Sequence, residues 1–320
     1  MSAATRSVLS ELRAIIPPLL PEFHKGQGGR VGVIGGSRNY TGAPFFASMT
    51  SMRLGADMSF TVCDPVAAAT IKSYSPDMIV NPMLAENRSQ EDVHADLGTL
   101  CARLHSLVIG PGLGREPHMQ AFAKTAIDVA RAKGIYLVLD ADALWLVQNH
   151  PAAIMGYNRA VLTPNVVEFG RLCDAVGINH THPDSVVRLA ETLSGPTIVA
   201  KGRIDTIVSP AGTLQCDDQG GLKRCGGQGD ILSGSLGTML AWAQRYEERC
   251  ATESEVIGLD GQVHPPVPTE RLPLLAAYGA AMVTRAVSRR GFAQYGRSML
   301  ADDLLREVGP AYEEIFSTTN

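Results

Sequence analysis

The 320-residue sequence predicts an α/β fold: a mostly parallel central sheet, helices on both faces and an appended β-hairpin. Three observations carry this. Short apolar runs alternate with helix-length stretches along most of the chain. Those runs are apolar nearly throughout instead of at every second residue, as in strands covered on both faces. Glycines and polar residues collect where the runs end, where open α/β sheets bind ligands.

In order, the chain begins with an amphipathic helix carrying Val8, Leu9, Leu12, Ile15 and Ile16. Strands follow at 30–36 (RVGVIGG), 58–63 (MSFTVC), 106–112 (SLVIGPG), 136–142 (YLVLDAD), 160–164 (AVLTP) and 197–202 (TIVAKG). Helices are expected at 42–56, 66–73, 117–133, 165–176 and 184–194. DTIVSP and GTLQC, joined by Ala211-Gly212, read as a hairpin. From 230 the chain reads as helical, at 230–244, 272–290 and 302–315. The polar, Pro-rich stretch 245–271 reads as a surface loop. No internal repeat or low-complexity tract interrupts the pattern, so one domain over 1–320 is the simplest account.

Composition narrows the function. Hydrophobic residues make up 45% of the chain, enough for a large core, and 32 glycines suit a glycine-looped enzyme. The net charge of −4, with no strongly basic stretch, argues against nucleic acid as a partner. The six cysteines (63, 101, 173, 216, 225, 250) lack C-x-x-C or zinc-finger spacing and read as free thiols in a reducing compartment. No apolar run reaches the ~18 residues of a membrane span. LLAAYGAAMV (274–283) reads as a buried helix, so no membrane partner is expected. The N-terminal stretch lacks a secretory signal's basic start and cleavage site, so a cytoplasmic location is expected.

The residues RCGGQGDILSG (224–234) crowd three glycines against Asp230 just before a helix. A helix N-terminus has unpaired N–H groups and a partial positive charge, and glycines let backbone wrap an anion. This reads as an anion hole for a phosphate in transfer, with Asp230 as the base that deprotonates an attacking hydroxyl. A plain N-cap role for Asp230 stands beside it. In LTPNVVEFGRL (162–172), Asn165 and Glu168 share one side of a helix start, where they could hold waters of Mg²⁺ or simply cap the helix. KGRID (201–205) offers Lys201 to a phosphate and Asp205 to a ribose or base edge, or is an ordinary turn. VIGPGLGRE (108–116) and GVIGGSRNYTGAP (32–44) are glycine loops without the full dinucleotide spacing. Asp140 and Asp142 share one side if their strand continues, or cap the next helix. His105 and His118 show no triad or ligand spacing.

With GPGLG, LDADAL, NVVEF, KGRID and GGQGD together, the chain resembles the ribokinase-like superfamily and, within it, the ATP-dependent NAD(P)H-hydrate dehydratases. The resemblance runs from about Gly26 to the C-terminal helix. The G-x-G-D and N-x-x-E elements are shared across the superfamily. Their combination with K-G-x-x-D, GPGLG and GGSRNYTGAPFFA is far more specific.

The resemblance implies that the S epimer of hydrated NADH or NADPH is phosphorylated by ATP on its C6 hydroxyl. Loss of phosphate then restores the ring, which is nicotinamide nucleotide repair. It implies that Gly112 with Asn165, Val166, Val167, Glu168, Phe169, Gly170 and Arg171 touch the hydrated dinucleotide. Lys201, Gly202, Arg203, Ile204 and Asp205, with Gly220, Gly221, Leu222, Lys223, Arg224, Cys225, Gly226, Gly227, Gln228 and Gly229, would bind ATP. Asp230 would meet the substrate hydroxyl as general base, and Mg²⁺ would bridge the ATP phosphates with Glu168 and Asn165 reaching it through water.

Some relatives carry a fused epimerase domain. This chain is expected to lack one, and a homo-oligomer is compatible with the fold. Asp77 stands where many relatives carry Glu, and 245–271 matches no functional motif. Two rivals remain: a kinase of the same fold acting on a vitamin-precursor alcohol of the hydroxymethylpyrimidine or hydroxyethylthiazole type, and an inactive nucleotide-binding sensor. The paired GGSRNYTGAP and GPGLG loops favour a dinucleotide-sized substrate over the first. The intact Asp230 loop speaks against the second.

Overall fold

Nine strands form one sheet in the order β3-β2-β1-β4-β5-β6-β7-β8-β9 in a computed structural model. It describes residues 3–317; residues 1–2 and 318–320 of the expected 1–320 domain lie outside them. The strands are β1 Arg30–Ile34, β2 Met58–Val62, β3 Ile79–Asn81, β4 Ser106–Ile109, β5 Tyr136–Leu139, β6 Ala160–Leu162, β7 Thr197–Ala200, β8 Asp205–Ser209 and β9 Gly212–Cys216. β1 to β7 pair in parallel, and β8 and β9 add the antiparallel hairpin.

The unbroken apolar character of the strands has a direct cause. Successive side chains point to opposite faces, and each face here meets its own core. In β5, Tyr136 and Val138 enter one core, Leu137 and Leu139 the other. The first core is built with α1 (Ala3–Ile15), α2 (Gly42–Leu54), α9 (Gln228–Thr252), α10 (Leu272–Tyr295) and α11 (Ala301–Phe316). The second takes residues from α4 (Gln90–Cys101), α5 (Pro117–Lys133), α6 (Asp142–Asn149), α7 (Val166–Ala175) and α8 (Ser185–Leu193). α3 (Pro65–Tyr74) lies by the β3 edge. Each fully buried Leu, Ile or Val contributes about 1.5–3 kcal/mol.

α9 is the element that places the site. Every residue from Ile231 to Ala243 is buried, because the helix runs between α2 and the sheet. A Cβ at Gly234 would stand 2.3 Å from the Ala47 carbonyl oxygen, so only glycine lets the two backbones meet there.

Several expectations are corrected. α9 starts at Gln228 and runs to Thr252, so 245–252 belongs to the helix and not to a loop. Glu247 and Tyr246 on that extra stretch bind back onto the body. The 136–142 run leaves the sheet after Leu139, and Asp142 opens α6. α4 and β3 were not anticipated. α4 buries only Val93, Leu97, Leu100 and Cys101, and β3 is a three-residue edge strand. All six cysteines are unpaired, and among the described residues no helix is long and apolar enough to cross a membrane.

Candidate active site

The carboxyl ends of β1, β4, β5, β6 and β7 converge with the N-terminus of α9. Backbone crowding sets this up. Gly110, just after β4, has φ +124°, and a Cβ there would stand 1.7 Å from the Asp140 carbonyl oxygen. The glycine therefore lets the ends of β4 and β5 close up.

Asp140 is 2% exposed, and its N–H donates to the Ile109 carbonyl at 3.1 Å. Its Oδ1 accepts from Thr163 Oγ1 at 2.9 Å and faces Lys201 Nζ at 3.3 Å. Ala141 follows with φ 48° and ψ −117°, a left-handed conformation that non-glycine residues rarely adopt. The Ala143 N–H closes the turn onto the Asp140 carbonyl at 3.0 Å. The turn sends Asp142 elsewhere: its carboxylate accepts from the Gly114 N–H and from Arg115 Nε, each at 3.0 Å. Asp140 and Asp142 therefore do not share a side, because the strand does not continue.

After β6, Pro164 leads into α7 through a capping box. Asn165 Oδ1 accepts the N–H groups of Val167 and Glu168 at 2.9 and 3.0 Å, and Glu168 Oε2 accepts the Asn165 N–H at 2.8 Å. Burial raises the Glu168 carboxyl above the usual range, against the Asn165 hydrogen bond and Lys201. Val166 and Val167 are exposed at the helix mouth. Phe169 packs on the second core, Gly170 lies under the His180 ring and Arg171 is exposed. Gly112 is buried beneath Tyr40 and Pro44.

Lys201, at the end of β7, stands among carboxylates. Burial alone would lower its pKa, but Asp140, Glu168 and Asp230 together hold it above the ordinary lysine value. Gly202 and Arg203 are exposed and Ile204 is half-buried. Asp205 turns inward, with Oδ1 on the Gly202 N–H at 2.9 Å and Oδ2 on Arg285 Nε at 2.8 Å. Both its oxygens hold the 202–205 turn, so the carboxylate is engaged within the protein. Arg285 from α10 also donates to the carbonyls of Gly202, Arg203 and Asp218. It ties the 201–205 loop to the chain entering the second glycine loop, from Gly220.

That second loop is anchored by Ser288. The Gly221 N–H and Gln228 Nε2 both donate to Ser288 Oγ at 3.2 Å. Arg224 donates to the Gly221 carbonyl at 2.6 Å and Lys223 to the Arg297 carbonyl at 2.5 Å. Leu222 and Gly226 are exposed, and Cys225 is half-buried. The N-cap of α9 is Gly227, at φ +94°, and no side chain caps it. The Gln228 N–H turns back to the Cys225 carbonyl at 3.5 Å, and the Gly229 and Asp230 N–H groups of the first turn are left for an anion. Asp230 is not the N-cap but sits inside the first turn. Its carboxyl is raised well above the usual range, first by burial and then by Asp140, while Lys201 pulls it down.

The arrangement combines a helix N-terminus without a side-chain cap, a buried carboxyl and an adjacent ammonium. Among the described residues no three His, Cys, Asp or Glu side chains stand close enough to hold a metal by themselves. The carboxylate oxygens present are hard donors, which fit a Mg²⁺ kept largely by water and nucleotide phosphates. Arg285 and Ser288 were not anticipated, nor was the Asp140–Lys201 pair. Their partners lie 60 to 83 residues away in sequence, where no local spacing signals them.

Residues 31–309 match the family model described as NAD(P)H-hydrate dehydratase. The chain is 52% identical to the ATP-dependent (S)-NAD(P)H-hydrate dehydratase of Mycosarcoma maydis, over 98% of this chain and 90% of that one. Among solved structures, a ribokinase-like superfamily protein of Enterococcus faecalis aligns with TM-score 0.73 at 21% identity, covering 97% and 94% of the two chains. The ADP/ATP-dependent NAD(P)H-hydrate dehydratase of Bacillus subtilis, co-crystallised with ATP/Mg²⁺, aligns at 0.66 with 20% identity, covering 96% and 97%. The structural matches establish the ribokinase-like fold, and the family match with the sequence identity establishes that the chain belongs to the NAD(P)H-hydrate dehydratase family.

Proposed function

We propose that this chain uses ATP to dehydrate the S epimer of hydrated NADH or NADPH, returning the reduced dinucleotide. The observation that carries the reading is the mouth of α9, where uncapped N–H groups and the Asp230 carboxylate meet at the strand ends. The substrate C6 hydroxyl attacks the γ-phosphorus. Its proton passes to Asp230, the new O–P bond forms, and the bond to ADP breaks. Phosphate then leaves C6 with the C–O electron pair, a proton from the neighbouring ring carbon passes to the departing phosphate, and the C–H pair restores the double bond.

Phosphoryl transfer depends on positioning and charge stabilisation. The α9 N-terminus supplies charge stabilisation and Lys201 adds a cation beside it. A base matched to its task contributes about 10²–10⁴-fold, and the raised carboxyl of Asp230 suits that role. Residues 165–171 at the α7 mouth would hold the dinucleotide, with Gly112 beneath it. Residues 201–205 and 220–229 would frame ATP, Asp205 by holding its turn. When bound, Mg²⁺ would supply charge neutralisation at the phosphates, and Glu168 and Asn165 would hold it through its waters. The cysteine spacing supports a reducing compartment, and we place the chain in the cytoplasm.

The test is direct. Purified protein is incubated with Mg-ATP and acid-aged, hydrated NADH, and the reduced-nicotinamide absorbance is followed against an ATP-free control. ATP-dependent recovery is expected. No recovery from folded protein, with the epimer mixture verified, would overturn the reading and turn attention to ADP release with vitamin-precursor alcohols.

A further inference from the structure

Asp140 has no part in the reaction just described, yet it is more deeply buried than any other carboxylate at the strand ends, 2% exposed against 9% for Asp205. We propose that Asp140 is a positioning residue for the phosphoryl transfer: it anchors the Lys201 ammonium between Asp230 and Glu168, fixing where that cation stands when hydroxyl, base and nucleotide meet. The inference rests on the reaction proposed above and assigns it a further residue.

Three features of the molecule support this. First, Asp140 is held rigidly. Its N–H is bonded to Ile109, its carbonyl is backed by Gly110, and the next residue is the left-handed Ala141. A non-glycine residue in such a conformation costs on the order of 1–3 kcal/mol, and such strain clusters at functional sites.

Second, its two oxygens have different surroundings. Oδ1 is taken by Thr163 and Lys201. Among the described residues Oδ2 has no hydrogen-bond partner, and it looks toward the first turn of α9. A Cβ placed on Gly229 would lie 3.7 Å from Oδ2 and 3.8 Å from Lys201 Nζ. Asp140, Lys201 and the α9 mouth therefore share one small volume.

Third, the pair is a poor stabilising device. The desolvation of a buried ion pair commonly offsets its attraction. Lys201, whose side chain is 23% exposed on a long flexible stem, would otherwise have other places to go.

The charges facing Asp230 are Asp140 from the end of β5 and Lys201 from the end of β7, and Glu168 from α7 acts on the same Lys201. α2 and α11 present Ala47, Thr50 and Ala301 to this part of α9. Asp140→Asn keeps an oxygen for Thr163 but removes the charge that competes for Lys201. Asp230 then loses a like charge and gains a closer cation, so it becomes a weaker base.

The test uses the full chain with ATP and hydrated NADH. In Asp140→Asn, kcat should fall by roughly 10–10²-fold, the scale of a small misplacement in a reacting array. The acid limb of kcat/KM should move to lower pH. In Lys201→Met the limb should move the other way. The double variant should lose less than the product of the two single losses, the mark of coupled neighbours. Thr163→Val, which keeps both charges but releases Oδ1, should lower kcat severalfold with the limb in place.

An unmoved limb in Asp140→Asn, with the same fractional loss at every pH and multiplicative losses in the double variant, would reduce Asp140 to a structural support. Should Asp140→Asn not fold, as judged by circular dichroism, Thr163→Val decides: wild-type kcat there overturns the proposal. A wild-type chain without ATP-dependent recovery would sink the parent reaction, and this inference with it. An active wild type with an indifferent Asp140→Asn sinks this inference alone.

Discussion

Two charged clusters at opposite ends of the sheet differ. At the amino ends, the cluster around Arg159 is closed on itself. Arg159, just before β6, gives Nη2 to both Glu247 oxygens at 3.0 and 2.8 Å and Nη1 to Gln244 at 3.0 Å. Tyr136 donates to the same carboxylate at 3.1 Å and lies under the guanidinium, 4.5 Å from its ring centre. His105 accepts the Arg30 N–H on Nδ1 at 3.0 Å. At the carboxyl ends, Asp140 keeps an oxygen without a partner among the described residues, α9 has no side-chain cap and Ala141 is strained. One helix joins the two, with Asp230 near its start and Glu247 17 residues on, about 25 Å at 1.5 Å per residue. Saturated polar groups fix a structure; polar groups left with capacity can act on a ligand.

The contrast can be broken most severely at Asp230. Asp230→Asn should lower turnover by about 10²–10⁴-fold, equivalent to roughly 3–5 kcal/mol of barrier. ATP should still bind, and the melting temperature should not fall, since a buried carboxyl is replaced by a neutral amide. Near-normal turnover would remove Asp230 as the base. A large drop in melting temperature would make this end structural as well.

His105 tests the amino end by pH. Burial pushes its pKa down to about 4 from 6.5, with Arg30 and Arg245 adding and Glu248 and Asp57 opposing. A folded-state value below the unfolded one means that the unfolded chain takes up the proton first. Stability is thus full above pH 6.5 and falls as pH drops toward 4, by about 3 kcal/mol in all. His105→Gln, which still offers an acceptor to Arg30, should flatten that step in urea unfolding curves taken across the window. Parallel curves for both proteins would refute the assignment.

Glu247→Ala should cost about 2–3 kcal/mol, because it strips hydrogen bonds from a charged, largely covered guanidinium. Thermal unfolding would show the loss, while kcat per folded molecule should hold. A kcat effect without a stability effect would mean that α9 transmits changes from one end to the other.

The smallest effect is expected at Ala141. Glycine there relieves the left-handed backbone but loosens the unfolded chain, so stability should shift by no more than about 1 kcal/mol either way. If the strain aims Asp140, kcat should nevertheless fall severalfold. Unchanged kcat would show that the turn needs no stiff residue.

Much of this was legible along the chain. The apolar strands, the helices between them and the glycines at strand ends are local periodicities, and β1, β2, β4 to β9, α2, α3, α5, α7, α8, α10 and α11 appear close to where the pattern puts them. The GGQGD stretch marked a helix mouth correctly, although the helix absorbs Gln228, Gly229 and Asp230 and its N-cap position falls on Gly227, which has no side chain to cap it. α4 and β3 were missed because a thin four-residue apolar face and a three-residue edge strand carry little pattern.

By itself the sequence determined the layered α/β class, the residues that reach the carboxyl ends, and the family. The tertiary structure decided which of those residues meet. Lys201 finds Asp140 across 61 positions, Arg285 takes up Asp205 across 80, and Asp142 turns away to Gly114 and Arg115. Strand and helix periods are set by backbone geometry over a few residues. Charge pairing at strand ends depends instead on sheet order, on the turn at Ala141, and on how far α9 slides between its neighbours.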